Sequence, residues 1–233
     1  MVNFRGPDGQ IYSHWRDWKQ AHPLKHWKAG RSAMLLAQSW GISEGLPWRV
    51  KLALDKEPSL AGLDFQDADI EHKTTPPGKG RDSTTDLMVW AKNAQQAVVL
   101  GVEGKVSEDF GPLVSDWKAE GGQNRLDRVE TMARDLGLNP SNIDPLRYQL
   151  IHRTWSAWKN AKDKNYPTAV MLVHSFLPAD QHADNHFPDF AAFAAHLGVS
   201  KATIQPDTPF LVAQPSGIHL WLCWVSDAGG VVE

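Results

Sequence analysis

Residues 97–106, AVVLGVEGKV, decide how this chain is read. The first half is apolar and rich in β-branched residues, and the run is too short for a helix, which predicts a buried strand over 96–106. Side chains alternate faces along a strand, so Glu103 and Lys105 point one way while Val102, Gly104 and Val106 point the other. An acid and an amine side by side at the end of a buried strand are costly to desolvate. They are either paired for structure or arranged to hold a metal and a water. The structural alternative is an ion pair on an exposed sheet face, which would contribute only about 0–1 kcal/mol.

Upstream, residues 84–91 (TTDLMVWA) read as another strand. If the two runs pair antiparallel, Asp86 faces Glu103 from the neighbouring strand, on a side shared with Thr84, Met88 and Trp90. Two carboxylates at that distance repel unless a cation sits between them or one is protonated. A hard divalent ion with oxygen ligands resolves the repulsion, and Mg²⁺, with Mn²⁺ as a substitute, suits a site that keeps waters for a substrate phosphate. Lys105, one pleat beyond Glu103, could then orient or deprotonate a water and offset charge in the transition state. Those are the parts that phosphodiester hydrolysis requires.

The flanking segments predict an α/β fold. Pro7-Asp8-Gly9 marks a short hairpin, followed by helical turns. Helices are expected over 31–40 (RSAMLLAQSW), stopped by Gly41, and over 46–54 with Pro47 in the first turn. A strand over 69–75 and the turn-rich Pro76-Pro77-Gly78-Lys79-Gly80 lead into the two strands already described. Residues 112–118 read as a connector, 123–136 as a helix ending at Gly137, and 145–162 as a helix capped by Asp144. Residues 168–176 (TAVMLVHSF) form a fourth buried strand, 187–197 a short helix, and 210–214 with 217–225 a closing hairpin. The result is a central mixed four-stranded sheet flanked by helices in the order α-β-β-β-α-β, with N-terminal helical and C-terminal hairpin additions. With 233 residues and no linker or repeat to divide them, the expectation is one domain.

Composition narrows the function classes. Apolar content of 42% and charged content of 22% are ordinary for a soluble globular protein. A net charge of −3 gives no overall basic signature, so nucleic-acid binding would need a local patch. The single cysteine, Cys223, lies in the apolar run LWLCWV, which predicts an inert core thiol and fits a reducing, cytoplasmic setting. No segment approaches membrane-spanning length. Eleven tryptophans are an excess; the bland reading is that they pack the core, with Trp155 and Trp158 on a buried helical stripe.

Asp86 in one strand, Glu103-Gly104-Lys105 in the next, and the element order around them resemble the PD-(D/E)XK nuclease superfamily, the restriction-endonuclease-like fold. A bare Glu-x-Lys is a common triplet, and the strand acid and element order give it weight. The resemblance covers roughly residues 31–176. GRSAMLLAQSW, VEGKVSEDFG, LRYQLIHRT and AVMLVHSF look like segments of a bacterial branch of that superfamily. It implies that Asp86, Glu103 and the carbonyl of Gly104 ligate the metal and that Lys105 is the catalytic lysine. One departure is Thr85, which stands where the family often has a proline.

Three further residues support the site. Glu71, in Ile70-Glu71-His72-Lys73, could reach the same face as an additional metal ligand. Gln149 resembles a helix glutamine that some relatives use near the site, and Arg153, four residues on, shares its helical face and could receive a phosphate. Lys79 and Arg81 in the hairpin loop could touch a nucleic-acid backbone. The i, i+4 pairs His22/His26 and His182/His186 have zinc-helix spacing without its glutamate and read as solvated, while His174 reads as a satisfied core or rim histidine. The sequence thus predicts a Mg²⁺-dependent hydrolase of phosphodiester bonds acting on DNA, with a homodimer compatible with it. The alternative is a non-catalytic interaction protein that keeps the nuclease fold.

Overall fold

The computed structural model describes residues 2–22, 26–177, 186–212 and 217–228. Eight strands form one mixed sheet: β1 (Asn3–Arg5), β2 (Ile11–Tyr12), β3 (Asp64–Thr74), β4 (Ser83–Lys92), β5 (Ala97–Lys105), β6 (Thr168–Ser175), β7 (Phe210–Val212) and β8 (His219–Ser226). Their spatial order is β2-β1-β3-β4-β5-β6-β8-β7. The α/β arrangement is as expected, but the sheet has eight strands where four were expected. The N-terminal hairpin joins through a parallel β1–β3 pairing and the closing hairpin through a parallel β6–β8 pairing, so both additions extend the sheet. β3, β4 and β5 are an antiparallel meander, and β6 returns parallel to β5.

Two apolar layers cover the sheet, as the alternation of side chains requires. On one face, α1 (Ser32–Ile42), α2 (Trp48–Leu54) and the 3₁₀ helix Trp15–Ala21 pack against Leu87, Val89, Leu100 and Val102. On the other, α4 (Gln123–Asp135) and α5 (Tyr148–Lys164) pack against Met88, Val99 and Met171. The short α3 (Val114–Ala119) and α6 (Phe187–His196) complete this second layer. Trp155 and Trp158 are buried on α5, as the stripe predicted, and Trp18, Trp40 and Trp224 also lie in the core. Cys223 is fully buried, and burial pushes its thiol pKa up, so it is an inert core residue. No helix among the described residues is long and apolar enough to cross a membrane.

Local boundaries differ from the sequence reading for identifiable reasons. Gly41 does not stop α1; it lies inside the helix, where a Cβ would stand 2.7 Å from Cβ of Trp15, so its smallness admits a close neighbour. The connector 112–118 contains α3, and α5 begins at Tyr148 instead of Pro145. Here the Val114 N–H donates to the Leu146 carbonyl and the Tyr148 N–H to the Pro112 carbonyl, so 144–146 form a turn and Arg147 bridges Leu113 in place of a first helical turn. Asp144 is therefore no cap; its carboxylate takes Lys118 at 2.8 Å. Part of the closing-hairpin turn and His182 lie outside the described residues.

Candidate active site

The β4–β5 ladder ends at the pair Leu87–Val102, and one step further sets Asp86 against Glu103. There a side chain takes over from the backbone: the Gly104 N–H donates to Oδ2 of Asp86 at 2.9 Å. N–H and C=O of a strand residue leave on the same edge, so the Gly104 carbonyl is directed toward the same side. β5 is buried on both faces at this point, with Glu103 only 3% and Lys105 only 5% exposed. The surface ion pair considered from the sequence is therefore not what forms.

Glu103 is the hub. Arg153 Nε donates to its Oε2 at 2.5 Å, Gln149 Nε2 to its Oε1 at 2.7 Å, and Lys105 Nζ to Oε1 at 3.2 Å. Gln149 and Arg153 lie one turn apart on α5, so a single helical face supplies both, and the Gln149 carbonyl oxygen accepts from Lys105 Nζ at 3.0 Å. Lys105 also donates to the Asp109 carbonyl at 3.2 Å and stands 4.9 Å over the Phe110 ring. Burial alone would raise the Glu103 pKa, but Arg153 and Lys105 more than offset it and hold the carboxyl below its usual range.

Asp86 and Glu71 move the other way. Burial, then repulsion from Glu103, pushes Asp86 from 3.8 up to about 7. Burial, then the Asp86 charge, pushes Glu71 from 4.5 up to about 8. Glu71 sits at φ +51° between the paired residues Ile70 and His72, a left-handed conformation that costs a non-glycine residue roughly 1–2 kcal/mol. Its Oε1 is 3.3 Å from Nδ1 of His22, whose own pKa burial lowers to about 4. At pH 7 that contact joins two neutral groups, so His22 is a partner of Glu71 and not half of a zinc pair.

All seven site residues named from the sequence (Glu71, Asp86, Glu103, Gly104, Lys105, Gln149 and Arg153) thus meet at one place, through hydrogen bonds at Glu103 and Asp86 or through the mutual fields of Glu71, Asp86 and Glu103. Two neighbours escaped that reading. His152 accepts or donates at 2.7 Å with Oγ of Ser83, and burial holds its pKa well below 6.5. Tyr148 stacks on Trp117 with ring centroids 3.8 Å apart and planes 10° from parallel. Both lie within a turn of Gln149 and Arg153, and the i, i+3, i+4 pattern on 148–153 carries the signal. His174, by contrast, is a satisfied core residue: Trp40 Nε1 donates to its Nδ1 at 3.1 Å and its Nε2 meets Asp227 at 3.1 Å.

Among the described residues, no three His, Cys, Asp or Glu side chains converge as a ready metal cage. The donor chemistry nevertheless fits a hard cation, because Asp86, Glu103 and the Gly104 carbonyl all offer oxygen. A cation there would also relieve the repulsion that raises Asp86. Two cationic groups and an amide already occupy Glu103, two on Oε1 and one on Oε2, so an ion would take the remaining lone pair of Oε2 or displace one of the three.

No curated protein matches the chain, and no solved structure does. The family model described as a domain of unknown function, DUF6946, matches residues 12–229, nearly the whole chain. The chain belongs to that family.

Proposed function

We propose that the protein is a metal-dependent nuclease that hydrolyses phosphodiester bonds in DNA, on a core of the restriction-endonuclease-like kind. The observation that carries this reading is the placement of Asp86 against Glu103 beside Lys105, with Asp86 pushed up to about 7 by burial and by its neighbour. Asp86, Glu103 and the Gly104 carbonyl would hold Mg²⁺ or Mn²⁺. When bound, the ion would polarise a phosphoryl oxygen and acidify a water.

The chain's own residues do the rest. Lys105, fixed by Gln149 and the Asp109 carbonyl, orients the attacking water, and its charge offsets the charge that builds on the phosphate. Arg153, once released from Glu103, is placed to take a phosphate oxygen, the fork geometry of its guanidinium suiting that role. Hydrolysis adds water across one P–O bond by in-line displacement. Lys105→Met should lower Mg²⁺-dependent cleavage of plasmid and single-stranded DNA by at least about 100-fold, the usual scale for removing a charge-stabilising group. Unchanged cleavage in a folded variant would overturn the assignment.

A second reading is favoured by one observation: Arg153, Lys105 and Gln149 satisfy Glu103 without any metal. A non-catalytic interaction protein would need no more than that. Wild-type protein with no cleavage of any DNA form in Mg²⁺ or Mn²⁺ would support it.

A further inference from the structure

A cleft of about 730 Å³ opens between the 75–82 loop, α4 and the first turns of α5, and Arg153 forms part of its wall. The same Arg153 holds Glu103, so the cleft and the acid cluster share a side chain. We propose that this cleft is the entry site for a single strand of DNA, whose phosphates it binds through Lys79, Arg81 and Arg128. The proposal rests on the nuclease reading above and adds which form of DNA is admitted and by which residues.

Charge is the first argument. Lys79, Arg81, Arg125, Arg128 and Arg153 line the cleft against a single carboxylate, Asp82. In a chain of net charge −3, that concentration is local and opposite to the whole. Arg125 is engaged by Glu120 at 3.1 Å and by the Trp117 carbonyl at 2.9 Å. Lys79 and Arg81 are exposed and, among the described residues, pair with no carboxylate.

Arg128 shows that the site is built. It is only 8% exposed and, among the described residues, forms no salt bridge. Its Nη1 donates to the Arg81 carbonyl at 2.9 Å and its Nη2 to the Lys79 carbonyl at 3.1 Å. A buried guanidinium answered by two carbonyl dipoles and the Tyr148 hydroxyl, and by no carboxylate among the described residues, keeps its charge uncompensated, and an anion would supply the counter-charge. The same two bonds pin the backbone of the two residues that bear the exposed cations. Between them Gly80 sits at φ +140°, where a Cβ would stand 2.4 Å from Nη2 of Arg128. The positive φ favours glycine, and a side chain there would push the guanidinium from its place.

Size and shape select the form of the ligand. The volume falls within the range of small-molecule pockets, about 300–1,000 Å³, which takes in a nucleotide segment whole but only one edge of a double helix. Trp117, on the cleft wall, already has Tyr148 on one side at 3.8 Å, and Arg125 lies 5.2 Å from its ring. Recognition is then of phosphate, indifferent to base, and strongly salt-dependent.

The test is fluorescence anisotropy with a labelled oligothymidylate and with a duplex of the same length, on the full chain in EDTA, at roughly 50 and 200 mM salt. Expected are preferential binding of the single strand, a loss of at least tenfold in Lys79→Ala/Arg81→Ala, and a salt slope shallower by about 1.4 for two lost phosphate contacts. Tighter binding of the duplex, or undiminished binding by the double variant, overturns the proposal. Because binding is read without metal, the two claims separate. Wild-type cleavage that the double variant retains in full refutes the entry site and spares the acid cluster. Binding lost in the double variant, with no cleavage by wild type, supports the entry site and refutes the nuclease reading.

Discussion

Asp86→Asn should stabilise the protein, and by more at pH 8 than at pH 5. The carboxyl rises from 3.8 to about 7 in the folded chain because burial and Glu103 both disfavour its charge. A raised acid means that the folded state holds a proton the unfolded state has released. Stability therefore falls as pH climbs from about 4, and the loss levels off above the folded value near 7. The difference corresponds to about 4 kcal/mol at pH 8, of which roughly 2–3 kcal/mol is incurred between pH 5 and pH 8. The Glu71 shift shares part of the same Asp86–Glu71 repulsion, so the two are not added. Asparagine keeps an oxygen for the Gly104 N–H while removing the ionisation. Urea unfolding of both proteins at several pH values gives the comparison directly, with the gap between them widening by roughly 2–3 kcal/mol from pH 5 to pH 8. Parallel pH profiles, or an asparagine variant less stable at pH 8, would refute the reasoning.

Other substitutions probe separate parts of the account. Gln149→Ala breaks the bridge between Glu103 and Lys105, and should cut cleavage by about 10- to 100-fold in steady-state assays while costing about 1–2 kcal/mol in unfolding. Thr85→Val removes a buried hydroxyl that has no hydrogen-bond partner among the described residues and should stabilise by about 1 kcal/mol, read by urea denaturation. His174→Phe strands the Trp40 N–H and takes one partner from the Asp227 carboxylate, and should destabilise by roughly 2–4 kcal/mol in thermal or urea unfolding without altering metal binding.

Much of this was legible because strand periodicity is simple. Once the apolar runs 84–91 and 97–105 read as paired antiparallel strands, the alternation of side chains sets Asp86, Glu103 and Lys105 on one face, and the helical spacing of Gln149 and Arg153 brings them to the same point. Residues 64–68 of β3 were missed because Asp64, Gln66 and Asp67 give them the polarity of a loop, and only pairing with β1 and β4 makes them a strand. The start of α5 was misplaced because Asp144-Pro145 carries a helix-start signal that a tertiary pairing with 112–114 overrides. Glu71 was on the right strand, but no glycine or turn signal marks its left-handed backbone in the sequence. Arg128 left no local signature, since its partners at Lys79 and Arg81 lie 49 and 47 positions away.

The central claim is that Asp86 and Glu103 form a hard-cation site. It is tested most directly by titrating Mn²⁺ and Mg²⁺ into wild type and Asp86→Ala by calorimetry at pH 8, where the Asp86 carboxyl, with its value near 7, is ionised. The account predicts binding to wild type that weakens as pH falls through 7 and is absent in the variant. No binding to wild type, or equal binding to both proteins, would contradict it.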